Sequence, residues 1–180
     1  MGRSDAYTAF RRECYTRDVT DRASYTVAGG DPDLADIPEI TMFGDARHPS
    51  AQPRLGPHRN PGVEICLSRS GVYRWDVEGR DVEIRPGELS VTMPWQEHSG
   101  QDNILGPGRL CWVILAAGGN GRLHAPLLHE LLGDEADALF ESFSGNRPYI
   151  GALPETTEIF DRLRDELTQP RAGRRAAIIA

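Results

Sequence analysis

The sequence predicts a mainly β protein in which a small antiparallel barrel or sandwich is followed by helices. Two observations support this prediction. From position 63 to 115, apolar and polar residues alternate in short segments separated by glycine and proline turns, as in strands that pack on one face. Beyond Gly118, the apolar residues recur with the spacing of helices. We therefore divide the chain into an N-terminal arm or lead-in strands (1–38), a barrel (39–118) and a helical segment (119–180).

The alternation places most of the strands. In the segment that begins at Val63, for example, Glu64 and Cys66 point to the side opposite Ile65. An almost continuous apolar run closes the region as its last strand. Strands are expected at 40–43, 63–68, 73–77, 82–84, 89–93 and 110–115.

Turn residues separate these strands. Glu78-Gly79 predicts a hairpin, and Pro86-Gly87 suits the two central positions of a type II turn, fixed φ first and positive φ second. The segment 29–33 (GGDPD) is also typical of a turn. The rest of residues 1–38 could supply a lead-in strand or cover the mouth of the barrel, and the sequence does not choose between these.

Helices are expected at 125–132, 134–143 and 155–167, with another beginning at 171. The third has an apolar stripe that would either pack on the barrel or form a dimer interface. The stripe consists of Ile159, Phe160, Leu163 and Leu167. The apolar residues 176–180 lead us to expect that the natural chain continues past Ala180; the alternative is a short apolar tail that packs on the barrel.

The composition limits the classes of function. A chain of 180 residues with 39% apolar and 26% charged residues is ordinary for one globular domain with a substantial core. The net charge of −7 argues against direct contact with a phosphate backbone, which requires clustered lysine and arginine. No helix-turn-helix or zinc-finger spacing is visible in the sequence.

Compartment and cysteine chemistry can also be predicted. Cys14, Cys66 and Cys111 are odd in number and far apart, which favours neither a disulfide framework nor a thiolate metal site. Residues 1–20 carry charges throughout, unlike a signal peptide, and no apolar run approaches the ~18 residues of a membrane span. We expect a cytoplasmic protein that does not contact a membrane.

The residues that carry chemistry lie between positions 58 and 98. If the strands close on themselves, His58, Asn60, Glu64 and His98 would converge on one cavity, which we predict to bind a small molecule. Cys66 shares the face of Glu64, and Trp95 follows a proline close to His98, so both are further candidates for contact with a ligand. The alternative is that the polar side chains only hydrogen-bond one another.

These residues resemble the two motifs of the cupin family. Glu64 followed by Gly71, and Pro94 followed by His98, have the family's spacing, although Gln96 stands where the family prefers glycine. The resemblance implies a jelly-roll barrel, the double-stranded β-helix, over roughly residues 40–116. In metal-dependent cupins, three histidines and a glutamate at matching positions bind Fe, Mn, Ni or Zn; this sequence departs from that set at Asn60. We expect no cofactor, and the alternative is a divalent metal held by His58, Glu64 and His98.

A second resemblance is more specific. The segments 64–71, 85–94, 97–100 and 112–115 are similar to the N-terminal sensing domain of AraC-type transcription regulators. The resemblance implies an effector-binding cupin barrel, a homodimer formed through the helices behind it, and DNA binding only through a C-terminal domain that this chain lacks. We therefore expect an effector-sensing and dimerisation domain that is not an enzyme. The alternative is a small metal-dependent cupin enzyme, such as a dioxygenase or isomerase.

Overall fold

The computed structural model describes residues 24–53, 55–117, 149–169 and 171–179, together with positions 133, 135 and 138. Within this part of the chain lie nine strands: β1 (Tyr25–Ala28), β2 (Ile40–His48), β3 (Val63–Ser70), β4 (Tyr73–Val77), β5 (Arg80–Ile84), β6 (Leu89–Thr92), β7 (His98–Gly100), β8 (Gly108–Leu115) and β9 (Tyr149–Gly151). Two α-helices, α1 (Thr156–Thr168) and α2 (Arg174–Ile179), follow β9, and Pro32–Leu34 and Gln101–Asn103 form short 3₁₀ turns.

The strands form two antiparallel sheets. The large sheet has the order β1-β2-β8-β3-β6-β9, and the small sheet has the order β5-β4-β7. This mostly antiparallel architecture confirms the predicted mainly β fold and agrees with the cupin-like barrel that the resemblance implied. The large sheet reaches beyond the predicted barrel at both ends, because β1 pairs with β2 and β9 pairs with β6. The 1–38 segment therefore contributes a strand, and so does the segment that we predicted to be helical.

The space between the sheets is filled by a close-packed core. The small sheet supplies Tyr73 and Trp75, whose rings are stacked with centroids 5.6 Å apart, and the large sheet supplies Trp112. Gly44 makes room for the Trp112 indole, since a Cβ at this position would lie 2.0 Å from the ring. These large side chains fill the middle of the space between the two sheets.

Both predicted turns are present. Glu78 and Gly79 have φ values of 52° and 75°, so both central positions of this hairpin are left-handed, which the right-handed twist of the strands favours. Gly87 has a φ of 86°, and the Glu88 amide donates a 2.8 Å hydrogen bond to the Arg85 carbonyl. This is the geometry expected for a proline-glycine type II turn.

The helices cover the outer face of the large sheet. Phe160 and Leu167 of α1 are buried there in a second apolar cluster with Phe43, and Leu163 is half-buried against it. Only Ile159 of the predicted dimer stripe is exposed, at 56%. Phe160 and Leu167 therefore pack within their own subunit and do not offer a surface to a second one. This corrects the expectation of an interface made by all four residues.

Ion pairs attach the same helices to the barrel. Asp45 on β2 is fully buried and accepts hydrogen bonds from both Arg109 of β8 and Arg164 of α1. Arg69 of β3 donates to Asp161 of α1 at 2.6 Å. Arg174 and Arg175 of α2 pair with Asp36 and Glu39 in the connection that leads into β2.

Two sequence predictions about helices can be compared directly. The predicted helix 155–167 is observed as Thr156–Thr168, and the helix expected from 171 is observed as Arg174–Ile179. The predicted helices at 125–132 and 134–143 lie outside the continuous ranges that the structure describes. Neither α1 nor α2 is long and apolar enough to cross a membrane, and the same holds for any other helix among the described residues.

Candidate functional site

Four polar residues meet where the two sheets come together. His58 and His98 form an isolated antiparallel bridge, in which each backbone amide donates to the other's carbonyl oxygen at 2.9 and 3.0 Å. The chain then passes through Asn60 to Glu64 at the start of β3, in the large sheet. We call His58, Asn60, Glu64 and His98 the site cluster. It lies at the end of the barrel where β3 begins and β6 ends.

The side chains of the site cluster are in direct contact. The Glu64 Oε2 atom lies 2.8 Å from His98 Nε2, and Asn60 Nδ2 donates a 2.9 Å hydrogen bond to the same carboxylate oxygen. The rings of His58 and His98 meet edge to face with centroids 4.2 Å apart. Asn60, Glu64 and His98 are all buried. The structure thus brings together the four residues that the sequence suggested.

Backbone carbonyls fix the orientation of both imidazoles. His98 Nδ1 lies 3.0 Å from the Gln96 carbonyl oxygen and His58 Nδ1 lies 2.9 Å from the Gly56 carbonyl oxygen, so each Nδ1 carries the proton. Each Nε2 then points into the site cluster. Sequence reasoning did not find Gly56 or this role of Gln96, because a backbone carbonyl is present at every position and leaves no signal in the sequence.

Burial and hydrogen bonding act in opposite directions on the pKa values of His98 and Glu64. Burial alone would lower the pKa of His98, but its hydrogen bond to Glu64 outweighs burial and raises that pKa above its ordinary value. Burial likewise favours a raised pKa for Glu64, and the contact with His98 lowers it instead. His58 differs, since burial and then the nearby charge of His98 both lower its pKa. The contact between His98 and Glu64 thus favours the charged form of both groups, whereas the surroundings of His58 favour its neutral form.

One polar atom of the Asn60 side chain has no hydrogen-bond partner among the described residues. Asn60 is 2% exposed, and this atom, Oδ1, is itself buried. An unpaired buried acceptor of this kind costs about 1–3 kcal/mol. The atom marks a place where a bound group can donate a hydrogen bond.

Cys66 and Trp95, the two further candidates for contact with a ligand, lie in different surroundings. Cys66 is half-buried on the inner face of β3 beside Glu64, and burial together with that carboxylate raises the pKa of its thiol, so it is an inert lining residue. Trp95 is 44% exposed, and its backbone amide donates a 2.8 Å hydrogen bond to the Asn60 carbonyl oxygen. Its φ of 67° is uncommon for a bulky residue. Trp95 therefore lies on the solvent side of the site cluster, whereas Trp75 and Trp112 belong to the core.

The arrangement can be tested for a divalent metal, which the cupin resemblance implies. His58, Glu64 and His98 each offer a ligand atom, and these atoms lie within 4.8 Å of one another. However, ligand atoms at about 2.0–2.2 Å from one ion lie about 3.0–3.5 Å apart, and the 2.8 Å between Glu64 and His98 is that of a hydrogen bond. Asn60 also presents N–H groups to the site cluster. The residues as arranged do not fit a metal ion.

Comparisons with known proteins bear on the fold alone. No protein family and no curated protein matches this sequence. Solved structures similar to the chain include a cupin superfamily protein from Desulfitobacterium hafniense, with 9% identity, 53% of this chain and 80% of that chain covered, and a TM-score of 0.36. A predicted oxalate decarboxylase from Thermotoga maritima has 20% identity, 52% and 80% coverage, and a TM-score of 0.39. KdgF from Halomonas sp. has 15% identity, 53% and 82% coverage, and a TM-score of 0.36. With such TM-scores, the description of this fold rests on its own strand order.

Proposed function

We propose that this chain is the effector-sensing domain of an AraC-type transcription regulator and that the effector binds at the site cluster. The observation that carries the proposal is the buried, unpartnered Oδ1 atom of Asn60 beside Glu64 and His98. Because Asn60 Oδ1 accepts no hydrogen bond from the described residues of the free protein, a ligand that supplies a donor adds a hydrogen bond at no loss of an existing one. The regulator family is favoured by the sequence resemblance over 64–71, 85–94, 97–100 and 112–115.

The site cluster also indicates the kind of effector. Glu64 and His98 already pair with each other, so a charged ligand would bring an unpaired charge into a buried site. An uncharged molecule with an N–H or O–H group for Asn60 Oδ1 meets the requirement. Because the core aromatics fill the middle of the barrel, the rest of the effector would lie towards Trp95, which offers an exposed ring for an apolar face.

The same strand connects the site cluster to the helices. β3 carries Glu64 on its inner face and Arg69 on its outer face, where Arg69 pairs with Asp161 of α1. An effector that binds one arrangement of these helices more tightly than another would shift the population between them. A homodimer would use the exposed side of α1, which includes Ile159, and the regulator would contact DNA through a separate C-terminal domain. Such a regulator works in the cytoplasm.

The second candidate is a small metal-dependent cupin enzyme. The observation in its favour is that the ligand atoms of His58, Glu64 and His98 lie within 4.8 Å of one another. Metal analysis separates the two candidates: near-stoichiometric Fe, Mn or Zn that survives dialysis favours the enzyme. The N–H groups that Asn60 directs at Glu64 speak against it.

A thermal-shift screen of uncharged small molecules tests the binding site. We expect compounds that raise the Tm of the wild-type chain and leave the His98→Ala chain unaffected, because binding adds RT ln(1 + [L]/Kd) of stability only where the site is intact. Glu83→Gln, on the exposed outer face of β5, is the matched control and should respond like wild type. A compound that stabilises His98→Ala as strongly as wild type would remove the site cluster from the proposal.

Two further measurements test the regulator and its dimer. Sequencing the reading frame past codon 180 should reveal two helix-turn-helix segments within roughly 100 residues, and a stop codon at that point would contradict the regulator.

In sedimentation, Ile159→Asp should shift the chain from dimer to monomer, because it places a charge in the apolar contact. An unchanged dimer would exclude that side of α1.

A further inference from the structure

We infer that Asn60 is the specificity-determining residue that closes this site to divalent metal ions. The inference does not depend on the regulator proposal, since it concerns only which class of ligand the site cluster rejects. It starts from the fact that three of the four residues could bind a metal, whereas the fourth is an amide. The question is what the amide does at that position.

The amide nitrogen lies where it blocks a metal. Asn60 Nδ2 is 2.9 Å from Glu64 Oε2 and 3.4 Å from His98 Nε2, while those two atoms are 2.8 Å apart. The three atoms therefore form a closed triangle. An amide nitrogen has N–H donors and no lone pair to offer, so it repels a cation instead of coordinating it. The Glu64 oxygen already accepts hydrogen bonds from both His98 and Asn60.

The orientation of the amide follows from its partners. An ionised carboxylate only accepts hydrogen bonds, so Asn60 must turn its N–H groups, and not its oxygen, towards Glu64. Turning the amide over would bring Oδ1 to about the 2.9 Å separation at which two acceptors repel. Because Asn60, Glu64 and His98 are buried, solvent does not relieve that repulsion. A metal ion would have to bring about this rotation and separate Glu64 from His98.

A histidine at position 60 would remove both obstacles. An imidazole supplies a lone pair where the amide supplies N–H groups, and it completes a set of three nitrogens and one carboxylate with His58, Glu64 and His98. The gain should exceed that of an outer hydrogen-bond partner, whose loss costs about 10–100-fold in metal affinity. We therefore expect Asn60→His to bind Co²⁺ about 100-fold or more tightly than the wild-type chain.

The experiment is a Co²⁺ titration of the purified chain, followed by visible absorption and by metal content after dialysis. The wild type should show no cobalt d–d bands and retain no metal, whereas Asn60→His should bind one equivalent. Asn60→His combined with His98→Ala should lose that binding, and Asn60→Leu, which has no ligand atom, should gain none. Circular dichroism of each variant shows that it is folded.

Two results would overturn the inference. One is stoichiometric binding of Co²⁺, Mn²⁺ or Zn²⁺ by the wild-type chain that disappears in His98→Ala; this result needs no folded Asn60→His variant. The other is a folded Asn60→His chain that binds cobalt no better than wild type. Metal binding by the wild-type chain would also favour the enzyme over the regulator, whereas a failed Asn60→His variant would leave the thermal-shift screen untouched. A screen without hits would in turn leave the cobalt result standing, so the two proposals can fail separately.

Discussion

Two polar groupings lie on opposite faces of the large sheet, and they differ in how completely their hydrogen-bonding atoms are satisfied. On the outer face, both carboxylate oxygens of Asp45 are bonded to arginines, and Arg69 donates to Cys111 and Asp161. We call these residues, with Arg109 and Arg164, the outer network. On the inner face, Asn60 retains an acceptor with no partner among the described residues.

This difference separates a structural role from a binding role. The outer network joins β2, β3 and β8 to α1, and all of its polar atoms that the structure describes as buried have partners. A site that must bind something else has to leave a group available, at a cost in stability. The outer network should therefore determine stability, and the site cluster should determine binding.

The largest effect is expected from Asp45→Asn. The change removes the charge that pairs with Arg109 and Arg164 beneath α1. Loss of one partner of a buried ion pair costs 3–5 kcal/mol, and we expect about 3 kcal/mol because both arginines are partly exposed and can turn towards water. Urea unfolding at pH 7 measures this free energy. A loss below about 1 kcal/mol would mean that the network is only a surface feature.

The same residue predicts a dependence on acid. Burial alone would raise the pKa of Asp45, but the hydrogen bonds from Arg109 and the charge of Arg164 lower it below its ordinary value. A carboxyl whose pKa is lower in the folded state stabilises the protein above its unfolded pKa of about 3.9, and this stability is lost as the pH falls through the folded value. Below about pH 4, the unfolding free energy of wild type should therefore fall more steeply than that of Asp45→Asn. Parallel curves of unfolding free energy against pH for the two chains would contradict the lowered pKa of Asp45.

A smaller effect is expected from Asn60→Leu. The substitution removes the hydrogen bond to Glu64, but it also removes the unsatisfied Oδ1 atom, while Glu64 keeps its contact with His98. These contributions oppose each other, so the unfolding free energy should change by less than about 1 kcal/mol. Urea unfolding beside Asp45→Asn gives the comparison directly. A loss as large as that of Asp45→Asn would make Asn60 a structural residue.

The smallest effect is expected from Glu83→Gln. Glu83 pairs with Arg74 and Arg85 on the outer face of the small sheet, where both arginines are well exposed. Ion pairs of this kind are screened by water and salt and contribute little. The unfolding midpoint in urea should not change measurably. A clear loss would show that stability does not follow burial of the ion pair.

Sequence reasoning predicted the local features of the fold. Between Val63 and Leu115 the alternation placed every strand except β7, Gly79 and Gly87 marked two turns, and the apolar stripe marked α1. It did not place β1 or β9 in the large sheet, because their pairing depends on contacts between distant parts of the chain. It also did not reveal the outer network, because the arginine partners of Asp45 lie 64 and 119 residues away along the chain. The signal that was present was a carboxylate, Asp45, within an apolar strand.

The candidate site was predicted only in part. The motif spacing identified His58, Asn60, Glu64 and His98 as residues that would converge, and the structure places them together. The direction in which the Asn60 amide points could not be read from the sequence, because it follows from which atoms of its neighbours accept hydrogen bonds. The sequence also left open whether Phe160 and Leu167 pack on the barrel or face a second subunit, because this depends on where α1 lies on the sheet.

The most direct test of the two roles uses one compound from the thermal-shift screen. Its affinity is measured by titration for wild type, Asp45→Asn and Asn60→Leu, at a temperature where all three are folded. We predict that Asp45→Asn binds the compound like wild type despite its lower stability, whereas Asn60→Leu loses binding while keeping its stability. Loss of binding in Asp45→Asn together with unchanged binding in Asn60→Leu would contradict the account.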